Sequence, residues 1–143
     1  MRYYAVFDTN VLVSALLTKN EDAATVLVLR AVADREIVPL YSEDILREYD
    51  EVLHRAKFPF SESHIRDLLL LIRQFGLSVS PGPTGEVLPY PDDLIFYEVV
   101  MEKREDDAYL ITGNLRHFPK REYIVTPAEM LSILRAHREQ ERS

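Results

Sequence analysis

The sequence predicts an α/β fold in which a parallel sheet is covered by helices on both faces. Three observations carry this reading. Short aromatic and β-branched runs alternate along the chain with apolar residues at helical spacing. The connections between them are short, which requires right-handed crossovers between parallel neighbours. Polar residues close two of the strand-like runs, Asp8 after Phe7 and Gly113-Asn114 after Thr112, and open parallel sheets bind ligands beyond the carboxyl ends of their strands.

Taken in order, Tyr3-Tyr4-Ala5-Val6-Phe7 is an apolar run stopped by Asp8 and reads as a buried first strand. Val11-Leu12-Val13 with Leu16-Leu17 has helical spacing, and residues 23–32 are rich in good helix formers. Ile37-Val38-Pro39-Leu40-Tyr41 gives a second strand interrupted by proline. Ser42 is placed to cap a helix through about Leu53, because Ile45, Leu46, Tyr49, Val52 and Leu53 recur at helical spacing. Ser63 is expected to cap the next helix, with Ile65, Leu68, Leu69, Ile72 and Phe75 facing inward before Gly76 ends it. Residues 77–80 form a third strand. The stretch 81–91, with Pro81, Pro83, Pro89, Pro91, Gly82 and Gly85, is a loop. Asp92 or Asp93 then caps a helix through about Glu102, and residues 108–112 and 123–125 are the later strands. Thr126-Pro127-Ala128-Glu129 is a capping box with proline in the first helical position. It opens a helix through about Ala136, and the charged segment 136–143 is expected to fray.

The 143 residues fit a single domain, and 47% apolar with 29% charged residues supports a sizeable core. The absence of cysteine excludes a disulfide framework, a thiolate metal site and a cysteine nucleophile, so oxygen, His and backbone groups must carry any chemistry. A net charge of −7, from 24 acids against 17 Lys and Arg, excludes a uniformly basic nucleic-acid binder while permitting a local basic rim. Asp8 interrupts the apolar stretch that a secretory signal would continue, and no apolar run approaches the roughly 20 residues needed to span a bilayer. A cytoplasmic protein without membrane association is expected.

Acids at strand and helix ends are the chemical signal. Asp8 at the close of an apolar strand stays ionised only beside water, donors or a cation; alternatively it caps the next helix through a turn with Thr9 and Asn10. Glu48 borders the apolar stripe of its helix, about 40° from Val52, whereas Asp44, Asp50 and Glu51 lie further round. Asp92 and Asp93 exceed what one helix cap requires, which leaves one of them for a cleft. Carboxylates converging from separate segments suit Mg²⁺ or Mn²⁺, a cation that serves phosphodiester hydrolysis. The four histidines, His54, His64, His117 and His137, show no close pairing of the zinc-protease kind.

Four segments together resemble a known family. They are Val6-Phe7-Asp8-Thr9-Asn10-Val11-Leu12-Val13-Ser14-Ala15-Leu16-Leu17, Ile45-Leu46-Arg47-Glu48-Tyr49-Asp50-Glu51-Val52-Leu53 with Arg55-Ala56-Lys57-Phe58, Pro91-Asp92-Asp93-Leu94-Ile95-Phe96, and Tyr109-Leu110-Ile111-Thr112-Gly113-Asn114-Leu115-Arg116-His117-Phe118. In their order and spacing they resemble PIN-domain proteins, specifically the VapC-like toxin components of toxin–antitoxin systems. The resemblance spans nearly the whole chain. It implies a three-layer α/β/α sandwich, a PIN-like domain over residues 1–143, and an Mg²⁺- or Mn²⁺-dependent endoribonuclease. It also implies a cognate protein antitoxin and a homodimer. Carried over by position, Asp8, Glu48 and Asp93 are the metal-binding acids, and Asp92 is a helix-start residue.

The family's further acid normally stands at the position of Asn114 or of His117, and here neither is acidic. Asn114 retains an amide able to orient water, and His117 can donate to phosphate or move a proton. Asn10, Ser14 and Thr112 are candidates for holding the acids in place. Arg116, with Arg47, Arg55, Lys57, Lys120 and Arg121, is a candidate for a basic rim facing RNA. Two other readings compete with this one. In one, the missing acid leaves a catalytically weakened domain that binds RNA or protein. The other is a phospho-accepting receiver-like domain, which fits poorly, because no acid pair follows the first strand and no accepting Asp the third.

Overall fold

A computed structural model describes residues 2–142. β1 (Tyr3–Phe7) carries apolar residues on both faces, and Ala5, Val6 and Phe7 are wholly buried. Such a strand needs cover on both sides, and it takes the centre of a sheet. β2 (Ile37–Tyr41) pairs with it on one side and β4 (Tyr109–Ile111) on the other, while β3 (Leu77–Ser78) and β5 (Ile124–Val125) form the edges. Among the described residues the order is β3-β2-β1-β4-β5, with every pairing parallel. Six α-helices complete an α/β/α sandwich among these residues: α1 (Thr9–Leu17), α2 (Ala24–Ala33), α3 (Glu43–Leu53), α4 (Glu62–Phe75), α5 (Leu94–Glu102) and α6 (Pro127–Arg142). No helix among the described residues is long and apolar enough to cross a membrane.

From β1 the chain steps outward through β2 to β3, then returns to the other side of β1 for β4 and β5. The direction of progression therefore reverses between β1 and β4, which opens a crevice at their carboxyl ends. Phe7 stands opposite Ile111 in that register, and the Asp8 amide donates to the Ile111 carbonyl at 2.9 Å, so Asp8 and Thr112 emerge side by side.

Most boundaries follow the sequence reading, and the differences have physical causes. Ser42 caps α3 by accepting from the Ile45 amide at 3.2 Å. α4 is capped by Ser61, whose hydroxyl accepts from His64 N at 3.1 Å, and not by Ser63, which lies inside the first turn. Two serines two residues apart offer the same side-chain chemistry, and the apolar spacing of α4 does not separate them. Neither Asp92 nor Asp93 caps α5 through its side chain: a single-turn 3-10 helix, Pro91–Asp93, leads directly into it. Helix α6 does not fray at residue 136 but continues to Arg142, while Ser143 lies outside the described residues. Two tertiary contacts account for the extension. Arg138 forks onto both carboxylate oxygens of Glu36, and the His137 ring packs edge-on to Tyr3 with centroids 5.4 Å apart.

Pro39 sits inside a paired strand because β3 joins β2 only from Leu40 onward, so the missing N–H falls before that ladder begins. The same corner fixes Gly76. A Cβ there would lie 2.3 Å from the Ile72 carbonyl oxygen and 2.5 Å from that of Pro39, both backbone atoms. Gly76→Ala is therefore expected to destabilise the fold by about 1–3 kcal/mol, the usual cost of overpacking. Urea denaturation measures it, and an unchanged midpoint would contradict the close approach.

Candidate active site

Asp8 occupies the cap position of α1 in extended conformation, yet its side chain makes no capping bond. Its carboxylate instead receives the Thr112 hydroxyl at 2.7 Å on Oδ2. Thr112 is wholly buried and its oxygen also accepts from Asn114 N at 3.0 Å, so the turn after β4 is folded around this hydroxyl. Asp8 is only 5% exposed. Burial pushes its pKa up from 3.8 to about 6; the Asp93 charge adds to the rise, while bonds from Thr112 and the Thr9 backbone and the nearby His117 oppose it. A buried acid held in this way has a deficit of positive charge around it.

Glu48 comes from α3, whose apolar stripe of Ile45, Leu46, Tyr49, Val52 and Leu53 is buried. Tyr49 donates its hydroxyl to the Phe7 carbonyl, which fastens α3 to the last residue of β1. One position back along the helix, half-buried Glu48 reaches the Thr9 hydroxyl, which donates to Oε2 at 3.2 Å. Its pKa is raised, first by burial and against the Thr9 bond. The stripe-border geometry expected for Glu48 is the one observed.

Asp93 ends the 3-10 turn and turns toward His117, with Oδ2 and Nδ1 2.9 Å apart. Burial also raises its pKa, opposed by His117. Asp92 is exposed, and its charge reaches both Asp93 and Glu48. Asn10 accepts the Gly113 amide at 3.3 Å and ties α1 to the turn after β4. Ser14 holds no acid: it is exposed on α1, and its carbonyl accepts from Thr18 N. Asn114 is exposed and its side chain does not cap the 3-10 turn Leu115–His117 that follows. Arg47 and Arg55 pair with Asp44 and Glu51 of α3, whereas Arg116, Lys120 and Arg121 line adjoining grooves on the surface beyond β4.

Two contributors escape sequence reasoning. Thr9 reads as a turn residue, and its bond to Glu48 spans 39 positions. Tyr90 lies in the proline-rich loop and packs on the His117 ring with centroids 4.0 Å apart, which no local pattern announces.

Among the described residues, no three His, Asp or Glu side chains are gathered closely enough to enclose a metal ion as they stand. Carboxylates without a counterion repel one another, and Glu48 and Asp93 each take a hydrogen-bond partner instead, the Thr9 hydroxyl and the His117 ring. The donor chemistry nonetheless fits a hard divalent cation. It is all oxygen from the acids, it includes a buried carboxylate whose charge is poorly compensated, and each acid is oriented by a hydroxyl or imidazole in the way that metal ligands are.

The model of the PIN domain matches residues 4–116, a span that contains Asp8, Glu48, Asp93, Thr112 and Asn114. This chain belongs to the PIN domain family. PIN domains are typically metal-dependent nucleases. The crystal structure of PAE2754 from Pyrobaculum aerophilum is similar in fold, with a TM-score of 0.58 at 15% identity over 94% of this chain and 90% of that one. No curated protein matches the chain in sequence.

The electrostatics of Asp8 have a measurable consequence for this PIN domain. An acid whose folded-state pKa is raised adds stability that is full below its unfolded pKa and is lost as pH rises through the folded one. The span from 3.8 to about 6 is worth up to about 3 kcal/mol. In EDTA, Asp8→Asn is expected to be more stable than wild type at pH 7.5 by up to that amount, and the advantage should shrink toward pH 4. Chemical denaturation across this range checks it; a variant less stable at pH 7.5 would show that the charge is better compensated than the geometry indicates.

Proposed function

We propose that this PIN domain is an endoribonuclease that hydrolyses RNA phosphodiester bonds with Mg²⁺ or Mn²⁺, and that it is the toxin of a toxin–antitoxin pair. The observation that carries the nuclease reading is the buried, undercompensated Asp8 carboxylate at the reversal point of the sheet, with Glu48 held by the adjoining Thr9 and Asp93 within electrostatic reach. The toxin role rests on the similarity of the four sequence segments to VapC-like toxins. A protein antitoxin is the expected inhibitor, and exposed Leu70 on α4 suits a homodimer contact.

In this reading Asp8, Glu48 and Asp93 hold the cation, which when bound neutralises phosphoryl charge and acidifies a water. The chain's own groups do the rest. Thr112 and Thr9 fix the carboxylates of Asp8 and Glu48. His117, with Nδ1 committed to Asp93, leaves Nε2 to meet a phosphate oxygen or carry a proton. Asn114 offers an amide donor and acceptor at the mouth of the crevice, where the family's acid would otherwise stand.

One observation favours a second reading, that of a binding module without turnover: Asp93 is already engaged by His117, and positions 114 and 117 lack the acid. Calorimetric titration with Mn²⁺ separates the two, because a binding module gives no heat that depends on Asp8 and Glu48. For the nuclease, purified protein with Mg²⁺ or Mn²⁺ should cleave single-stranded RNA. Asp8→Asn should lose more than about a hundredfold in rate, since even an outer partner of a metal ligand typically costs about 10–100-fold. Equal cleavage by both proteins, or cleavage by neither, overturns the hydrolytic reading.

A further inference from the structure

We propose that Tyr90 is a nucleobase-stacking platform that holds one base of a single-stranded RNA beside the acidic crevice. The choice of RNA rests on the ribonuclease reading; the platform itself rests on geometry. Tyr90 is 54% exposed although it is a large aromatic residue. Its carbonyl accepts from Asp93 N at 3.0 Å, which anchors its backbone to the turn carrying the third acid. Its ring lies against His117 with centroids 4.0 Å apart and planes 30° apart, so the ring is supported and has little freedom to lose on binding.

The surroundings favour a nucleic-acid strand. Tyr90, Asn114, Arg116 and His117 line a groove of about 710 Å³, inside the range of about 300–1,000 Å³ usual for small-ligand sites. The groove begins where the crevice ends, because Asn114 is bonded to Thr112 and His117 to Asp93. A second groove shares Leu115 and Arg116 with it and continues past Lys120 and Arg121. Residues 113–121 contain these three cations and no carboxylate, in a chain of 24 acids. An acidic crevice, then an exposed ring, then a line of cations is the order that a scissile phosphate, a stacked base and the following phosphates require. An acidic peptide would use the cations but would not need an exposed ring at the crevice.

A series of oligoribonucleotides tests this, each carrying a single abasic nucleotide at a different position, with binding measured by fluorescence anisotropy in EDTA. Wild type is expected to show one position where base removal weakens binding by about 5–100-fold. Tyr90→Ala should bind the intact RNA more weakly by a similar factor and be insensitive to base removal at that position. Tyr90→Phe should behave as wild type. Tyr90 is exposed, so neither substitution removes core packing, and circular dichroism verifies folding.

A uniform loss in Tyr90→Ala at every position overturns stacking, because that is what mere support of His117 would give. Wild-type binding by Tyr90→Ala, or no RNA binding by any form, overturns it as well. Cleavage with Mn²⁺ is scored on the same RNAs. A Tyr90-dependent position without cleavage supports the platform and counts against the nuclease reading. Cleavage without such a position leaves the nuclease reading standing and overturns the platform.

Discussion

The hydrogen bond from the Thr112 hydroxyl to the Asp8 carboxylate is the constraint on which the rest of the site depends. It joins the carboxyl ends of β1 and β4, two strands separated by 104 positions in sequence, at the place where the sheet reverses direction. Thr112 then organises the turn through Asn114 N, and Asn10 closes the same turn from α1. On the other flank, Tyr49 and Thr9 draw α3 and Glu48 against the end of β1. Without an acid at position 8 the wholly buried Thr112 hydroxyl would have no acceptor for its proton, and a buried polar atom is retained only with a partner.

The site is therefore built at a cost to the fold. Burial raises the pKa of Asp8, Glu48 and Asp93 alike; the Asp93 charge adds to the rise at Asp8, and the Asp92 charge to the rise at Glu48 and Asp93. A protein selected for stability alone would replace Asp8 by a neutral residue; a protein that must bind a cation keeps the deficit, because the cation repays it on binding. The distribution of charge agrees with this. Asp8, Glu48, Asp92 and Asp93 stand at the crevice, while residues 113–121 after β4 carry cations without acids, a local contrast that the net charge of −7 conceals.

Much of this was legible in the sequence where the signal was local. The five strand segments, the third of them shortened from 77–80 to Leu77–Ser78, the Ser42 cap and the reciprocal Thr126–Glu129 box each depend on a few adjacent residues, and the structure contains them. The α3 stripe also located Glu48 correctly at its border. Where two local candidates were chemically alike, as with Ser61 and Ser63, spacing alone did not choose between them. Where stability came from a distant partner, local reading failed in the predictable direction: α6 reads as frayed until Glu36 and Tyr3 are found beneath it. One of Asp92 and Asp93 reads as the cap of α5, because acids at a helix start usually are, yet neither side chain caps it. The 3-10 turn freed Asp93 to face His117 instead.

By itself, then, the sequence determined the alternation of strands and helices, the parallel sheet, and that Asp8 stands at the carboxyl end of its first strand, because these follow from side-chain periodicity and from residue types at element ends. The tertiary structure decided which groups meet: Thr112 with Asp8, Thr9 with Glu48, His117 with Asp93 and Tyr90 with His117. Each of these contacts spans at least 24 positions, and the last joins a loop to the turn that follows β4. Local patterning carries no information about such distances. Chain topology and packing supply it.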